Sequence, residues 1–318
     1  MDLLLYLVIP CYNEEAVILE TSKRLKAKLE QMITTGMVSS QSKIMFVNDG
    51  SKDNTWELIK SLHEENSIFT GVNLSRNRGH QNALLAGLMV AKERADIVIS
   101  MDADLQDDIE VIDTFVERYQ EGYDIVYGVR NSRATDTWFK RTTALLFYKF
   151  QSFMGVQAIY NHADYRLMSK RALEGLSQFK EVNLFLRGLI PLIGYRSCQV
   201  AYDRHERFAG ESKYPLKKML SFALDGITSF SIRPIRLVAT CGFLVFTISL
   251  FIILYCIIQK LRGFTVSGWA FLSCSIWLLG GIQLLGLGIV GEYIGKIYNE
   301  TKERPRFLVD EILDEESL

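Results

Sequence analysis

Residues 43–66 read KIMFVNDGSKDNTWELIKSLHEEN. The run Lys43–Asn48 has the apolar character of a buried strand. It stops at Asp49-Gly50-Ser51, residues that favour turns, and a helical stretch from Asp53 to Asn66 follows, with Asp53 placed to cap it. The same unit recurs on both sides. Leu3–Ile9 is an apolar run halted by Pro10, and Glu14–Gln31 has helical spacing. Phe69–Leu74 leads to a helix over Gly79–Lys92, Ile97–Met101 leads to one over Ile109–Glu121, and Asp124–Val129 is a further strand. Alternation sustained over about 130 residues predicts an α/β head built on a mostly parallel sheet.

Such sheets bind ligands beyond the carboxyl ends of their strands. The polar clusters stand there: Tyr12-Asn13-Glu14, Asp49-Gly50-Ser51 and Asp102-Ala103-Asp104. A dinucleotide site would need GxGxxG after the first strand, where this chain has Pro10-Cys11-Tyr12-Asn13-Glu14. There is no P-loop either, so carboxylates rather than a glycine nest face the ligand. Asp102 and Asp104, two residues apart at a strand exit, suit a hard divalent ion, Mg²⁺ or Mn²⁺, that also takes oxygens from a nucleotide diphosphate. Gln106 adds a third oxygen. An EF-hand is excluded, since its sixth position would be Asp107 rather than Gly and its twelfth Asp113 rather than Glu.

The chain has 318 residues, 48% of them hydrophobic, and a net charge of -1, which argues against nucleic acid as a partner. Charge is unevenly spread. Residues 235–258 carry only Arg236, and residues 267–290 carry none. Each run is long enough for a bilayer core of ~30 Å, so a two-helix transmembrane hairpin is expected. Basic residues at its outer ends (Arg233, Arg236, Lys296, Lys302, Arg304, Arg306) place the head on the cytoplasmic side. The expected organisation is a catalytic head over 1–214, an amphipathic juxtamembrane helix over 215–234, the hairpin over 235–295 and a cytoplasmic tail over 296–318. Gly291 and Gly295 form a GxxxG step that allows close helix contact and hence a homo-oligomer. The five cysteines form no CxxC pair, and the N-terminus lacks the basic start of a signal peptide.

Four segments occur in order at the strand exits: VIPCYNEE (8–15), VNDGSKDNT (47–55), LSRNRGHQNALLAG (74–87) and MDADLQD (101–107). Together they resemble glycosyltransferase family 2, inverting transferases of the GT-A (Rossmann-like) fold. The trailing apolar runs make the chain similar to the polyprenyl-phosphate glycosyltransferases of that family. The resemblance implies a UDP-sugar donor (glucose first), a polyprenyl (undecaprenyl) phosphate acceptor and a place in the bacterial inner membrane. Pro10, Tyr12, Glu14 and Asp49 would then line the base and ribose pocket. Asp102 would meet the ribose or the metal's water shell, and Asp104 with Gln106 would hold the metal. Arg130 and Arg141 would cradle the acceptor phosphate, and Asp164 would orient the reactants or serve as a base. Arg207 and Lys213, in a loop resembling RxxGxSK, would close over the leaving diphosphate. His80 stands where relatives often carry Lys. Two other readings are a polysaccharide-extending transferase, which would need a QxxRW motif that is absent, and a non-enzymatic membrane subunit that senses nucleotide-sugar.

Overall fold

A computed structural model describes residues 3–131, 162–203, 231, 233–263 and 268–314. Five strands and four helices alternate first: β1 (Leu5–Cys11), α1 (Ile18–Thr34), β2 (Lys43–Asn48), α2 (Thr55–Glu65), β3 (Phe69–Leu74), α3 (His80–Lys92), β4 (Ile97–Ser100), α4 (Val111–Gln120) and β5 (Ile125–Arg130). After them come β6 (His162–Ser169), α5 (Lys170–Ser177), α6 (Leu186–Leu192) and β7 (Ser197–Tyr202). Two long helices, α7 (Arg233–Leu261) and α8 (Trp269–Thr301), precede β8 (Val309–Leu313).

The eight strands form one sheet in the order β7-β5-β6-β4-β1-β2-β3-β8. Its centre, β4-β1-β2-β3, is parallel throughout, while β6 and β8 run antiparallel to their neighbours. The expected α/β head with a mostly parallel sheet is therefore the fold. Every residue of β1 is buried, as happens when helices cover both faces of a parallel sheet. Leu5, Leu7 and Ile9 belong to one cluster with Leu25 and Leu29 of α1 and Phe115 of α4. Val8 points the other way, under α3, where a Cβ added to Gly87 would lie 2.5 Å from Val8 Cγ1 and 2.6 Å from Val47 Cγ2. The missing side chain lets α3 settle directly on β1 and β2.

The chain divides into two compact units: the sheet with its helices and β8 in one, α7 and α8 in the other. The helices span 29 and 33 residues, and α8 runs past the expected limit at 295. Where two membrane spans were expected over 235–258 and 267–290, one segment among the described residues is long and apolar enough to cross a bilayer, Leu278–Thr301. It lies further along the chain than the run read from the sequence, toward the carboxyl end of α8. Within this unit Tyr293 donates its hydroxyl proton to the Ser231 carbonyl. The tail, expected as a cytoplasmic appendage, rejoins the first unit: β8 pairs with β3 in the register Gly71↔Leu313, Val72↔Ile312 and Asn73↔Glu311.

Candidate active site

The loops after β1 and β2 are laced together before any ligand arrives. Asn13 takes a left-handed conformation (φ 53°), and its N–H donates to Ser51 Oγ at 3.0 Å. Its own Oδ1 accepts from the Lys52 N–H at 2.9 Å. Glu14 N–H donates to Thr55 Oγ1, and Asp53 accepts from both the amide and the hydroxyl of Thr55, which fixes the start of α2. Tyr12 is open at the rim, with 38% of its surface exposed, while Pro10 is buried at the end of β1.

Asp49 is almost wholly buried, at 2% exposure. Its two carboxylate oxygens accept the backbone N–H groups of Arg78 (2.6 Å) and Gly79 (2.9 Å). Burial pushes its pKa up, and those two N–H groups act against the rise. The loop they hold lies on Gly50, where a Cβ would stand 2.5 Å from the Asn77 nitrogen and φ is +61°. Only glycine accommodates both the conformation and the approach. Asp49 thus ties the β3–α3 loop to β2 and so places His80, the first residue of α3.

After β4 the exposure alternates. Met101, Ala103, Leu105 and Asp107 are buried, and Asp102, Asp104, Gln106 and Asp108 are partly open. The proposed metal ligands Asp102, Asp104 and Gln106 therefore share one side of the segment. Asp104 Oδ1 accepts the Gln106 N–H at 3.2 Å, and Leu105 takes the left-handed region at φ 57°, unusual for a branched side chain. Burial, opposed by His80 and reinforced by Asp107, Asp164 and Asp104, pushes the Asp102 carboxyl up to about 6.

Strand β6 explains why Asp164 joins this group. It runs antiparallel to β4 with Ser100 opposite Arg166, so Asp164 continues the register to the level of Asp102. Ser100 Oγ donates to the Asp164 carbonyl at 2.7 Å. The Asp164 carboxylate accepts from Arg166 Nη2 at 2.5 Å and from Arg187 Nε and Nη2 at 3.3 and 3.0 Å. Burial opposes its charge, yet Arg187, His80 and Arg166 together hold it well below the usual carboxylate range. It is a poor proton acceptor, so orientation rather than base catalysis is what this environment favours. His80 Nε2 lies between two acids, 3.5 Å from Asp102 Oδ1 and 3.7 Å from Asp164 Oδ2. Burial lowers its pKa, but the bond to Asp164 and the charges of Asp102 and Asp164 raise it on balance.

Arg130, expected at the acceptor phosphate, is engaged inside the fold. Its Nη2 donates to Asp107 Oδ1 at 3.2 Å and its Nε to the Tyr202 hydroxyl at 3.1 Å, while Tyr202 itself donates to Asp107 at 2.5 Å. Arg141, Arg207 and Lys213 lie outside the described residues, as does the juxtamembrane stretch 215–230.

The sequence reading missed Arg187, Arg166 and Asp107. For Arg187 a signal was present: it is the one charge in LFLRGLIPL (184–192), an otherwise apolar run. Its neighbours Leu186, Gly188, Leu189 and Ile190 are buried, and the Leu186 N–H donates to Gln81 Oε1, joining α6 to the start of α3. Arg166 and Asp107 gave none, since only the strand register brings them to the site.

Among the described residues no three His, Cys, Asp or Glu side chains converge as a closed metal cage. The donor set nonetheless fits Mg²⁺ or Mn²⁺. Two carboxylates and an amide share an open side, and such ions complete their shell with water and phosphate oxygens.

Residues 6–176 match the family described as Glycosyl transferase family 2. The chain is 56% identical over 314 residues to an uncharacterized glycosyltransferase of Bacillus subtilis, YkoT, covering 99% of this chain and 93% of that protein. It is 40% identical over 305 residues to a bactoprenol glucosyl transferase of Shigella phage SfX, covering 95% and 97%. Among solved structures it is similar to glucosyl-3-phosphoglycerate synthase of Mycobacterium tuberculosis in complex with Mn²⁺, UDP-glucose and phosphoglyceric acid. That likeness has 17% identity and a TM-score of 0.45, covers 76% of this chain and 80% of that one, and bears on neither ligand nor reaction.

Proposed function

The chain belongs to glycosyltransferase family 2, and from that premise we propose that it transfers a sugar, glucose by preference, from a UDP-sugar to a polyprenyl phosphate at the cytoplasmic face of a bacterial membrane. The convergence of Asp102, Asp104, His80, Asp164 and Arg187 at the strand tips carries this reading. Similarity to bactoprenol glucosyl transferase along nearly the whole chain supports the acceptor. Exposed apolar side chains on the long helices support the membrane: Phe243 is 72% exposed, and Leu284 and Leu285 are 71% exposed each.

Asp104, Asp102 and Gln106 would hold Mg²⁺ or Mn²⁺, which when bound neutralises charge gathering on the departing diphosphate. Pro10, Tyr12 and Glu14 would face the base and ribose. Asp49 would act on the same pocket through the loop it fastens. An acceptor phosphate oxygen attacks the anomeric carbon as the bond to the UDP oxygen breaks, so configuration inverts. The acceptor is already an anion at neutral pH and needs no deprotonation. Asp164, itself ionised, would orient the sugar or acceptor beside it. Arg207 and Lys213 would meet the departing UDP.

Detergent-solubilised protein, undecaprenyl phosphate, Mg²⁺ or Mn²⁺ and a panel of nucleotide-sugars provide the test. UDP release that depends on the lipid, fastest with UDP-glucose, is the expected result. UDP-sugar consumption that ignores the lipid, or none with any donor, would refute the acceptor assignment.

A further inference from the structure

Cations outnumber the acid at one point of the site. Two guanidiniums, Arg166 and Arg187, converge on the single carboxylate of Asp164. Arg166 is buried, with 1% of its side chain exposed, and serves Asp164 from within the fold. Arg187 differs. Its side chain is 35% exposed although it stands on a helix whose other residues near it are buried. A guanidinium has five N–H donors on two usable edges. Asp164 takes the edge formed by Nε and Nη2, and Nη1 makes no hydrogen bond among the described residues. Arg187 is near enough to Asp102 for the two charges to stabilise each other. Arg130, another cation near this end of the sheet, has Asp107 and Tyr202 as partners.

An anionic substrate entering beside Asp102, Asp104 and Asp164 is repelled unless a cation faces it. We propose that the outer edge of Arg187 is a seat for a phosphate oxyanion, with Asp164 as the residue that aims it. A planar fork clamped along one edge presents the other at a fixed angle, which suits two oxygens of one phosphate. The inference rests on the sugar-transfer reading above and adds a recognition element to it. The shared chemistry is a phosphate, supplied either by the lipid acceptor or by the diphosphate of the donor.

Calorimetric titration of the full-length protein in detergent with Mg²⁺ separates these sources, using farnesyl phosphate in one arm and UDP in the other. Arg187→Gln is expected to weaken one ligand by about ten- to a hundred-fold, the range for a charge-assisted hydrogen bond. Loss confined to farnesyl phosphate assigns the seat to the acceptor, and loss confined to UDP assigns it to the donor. Because Arg187 also neutralises Asp164, the substitution is repeated in an Asp164→Asn background. A purely structural ion pair predicts no further loss there, whereas a phosphate seat, its fork still held by the one remaining amide oxygen, predicts a smaller further loss of at least about three-fold. Arg187→Lys keeps the charge but not the fork and should weaken the same ligand by about three- to ten-fold; it carries the test if the glutamine variant does not fold. Unchanged affinity for both ligands, or an effect that vanishes with Asp164→Asn, overturns the seat. Wild-type protein that transfers sugar to farnesyl phosphate while the variants bind normally would sink the seat alone. Wild-type protein that neither binds nor glycosylates farnesyl phosphate would sink the parent reading instead.

Discussion

Replacing Asp49 with Asn tests how the loop that carries His80 is held. The carboxylate accepts two backbone N–H groups, from Arg78 and Gly79, at 2.6 and 2.9 Å in a site 2% exposed. Bonds to a charged acceptor contribute about 1.5–3 kcal/mol each. Asparagine keeps one as a neutral bond of about 0.5–1.5 kcal/mol and turns its NH₂ toward the other N–H, leaving a buried donor unmet. A neutral amide is cheaper to bury than a carboxylate, and this offsets part of the loss. The net cost is about 2 kcal/mol, roughly a thirty-fold shift in the opening equilibrium of the loop. Hydrogen–deuterium exchange over residues 75–80 reads that shift directly, and UDP affinity should fall in parallel because Asp102 and the start of α3 lose their fixed spacing. Exchange at Arg78 as slow as in the wild type would refute the reasoning, since Asp49 is what holds that amide, whereas the Gly79 N–H also reaches Asn77 Oδ1 at 3.2 Å.

Asp104→Asn should abolish metal-dependent transfer while leaving the melting temperature nearly unchanged; undiminished turnover would count against the metal assignment. Asp164 is an acid whose folded pKa lies below its unfolded one. Its ionisation therefore stabilises the fold above about pH 4, and that contribution disappears as the pH falls toward the depressed value. Acid melting curves should accordingly fall more steeply below pH ~4 for the wild type than for Asp164→Asn; parallel curves would show that Asp164 is not held as described. Gly87→Ala places a Cβ 2.5 Å from Val8 Cγ1 and should cost about 1–3 kcal/mol, seen as a melting temperature lower by several degrees. An unchanged melting temperature would mean that α3 lifts off β1 freely.

Much of the head was legible because its signals are local. Lys43–Asn48 and Phe69–Leu74 coincide with β2 and β3, since each is an apolar run closed by polar or turn-forming residues. The helix starts were shifted by a few residues where capping is supplied from another loop, as Thr55 and Asp53 are laced to Glu14 and Glu15. The acids after β4 were found from their spacing alone. Strands β6, β7 and β8 escaped notice because they carry His, Asp, Arg, Gln and Glu among their apolar residues, and nothing nearby in sequence announces an antiparallel partner. For the same reason Asp164 could be named but not placed. Its meeting with Asp102 depends on the pairing of β6 with β4, and its ion pairs depend on Arg166 and Arg187.

The pairing of β8 with β3 has a consequence for the making of the protein. During synthesis β3 leaves the ribosome long before its partner: 309 − 74 = 235 residues separate Leu74 from Val309, about 10–50 s at roughly 5–20 residues per second. Through that interval both long apolar helices are produced while the outer edge of β3 offers bare N–H and C=O groups to any passing strand. A nascent head is thus open to mispairing along β3 for the whole time in which its apolar helices emerge, and the hazard ends only when β8 arrives.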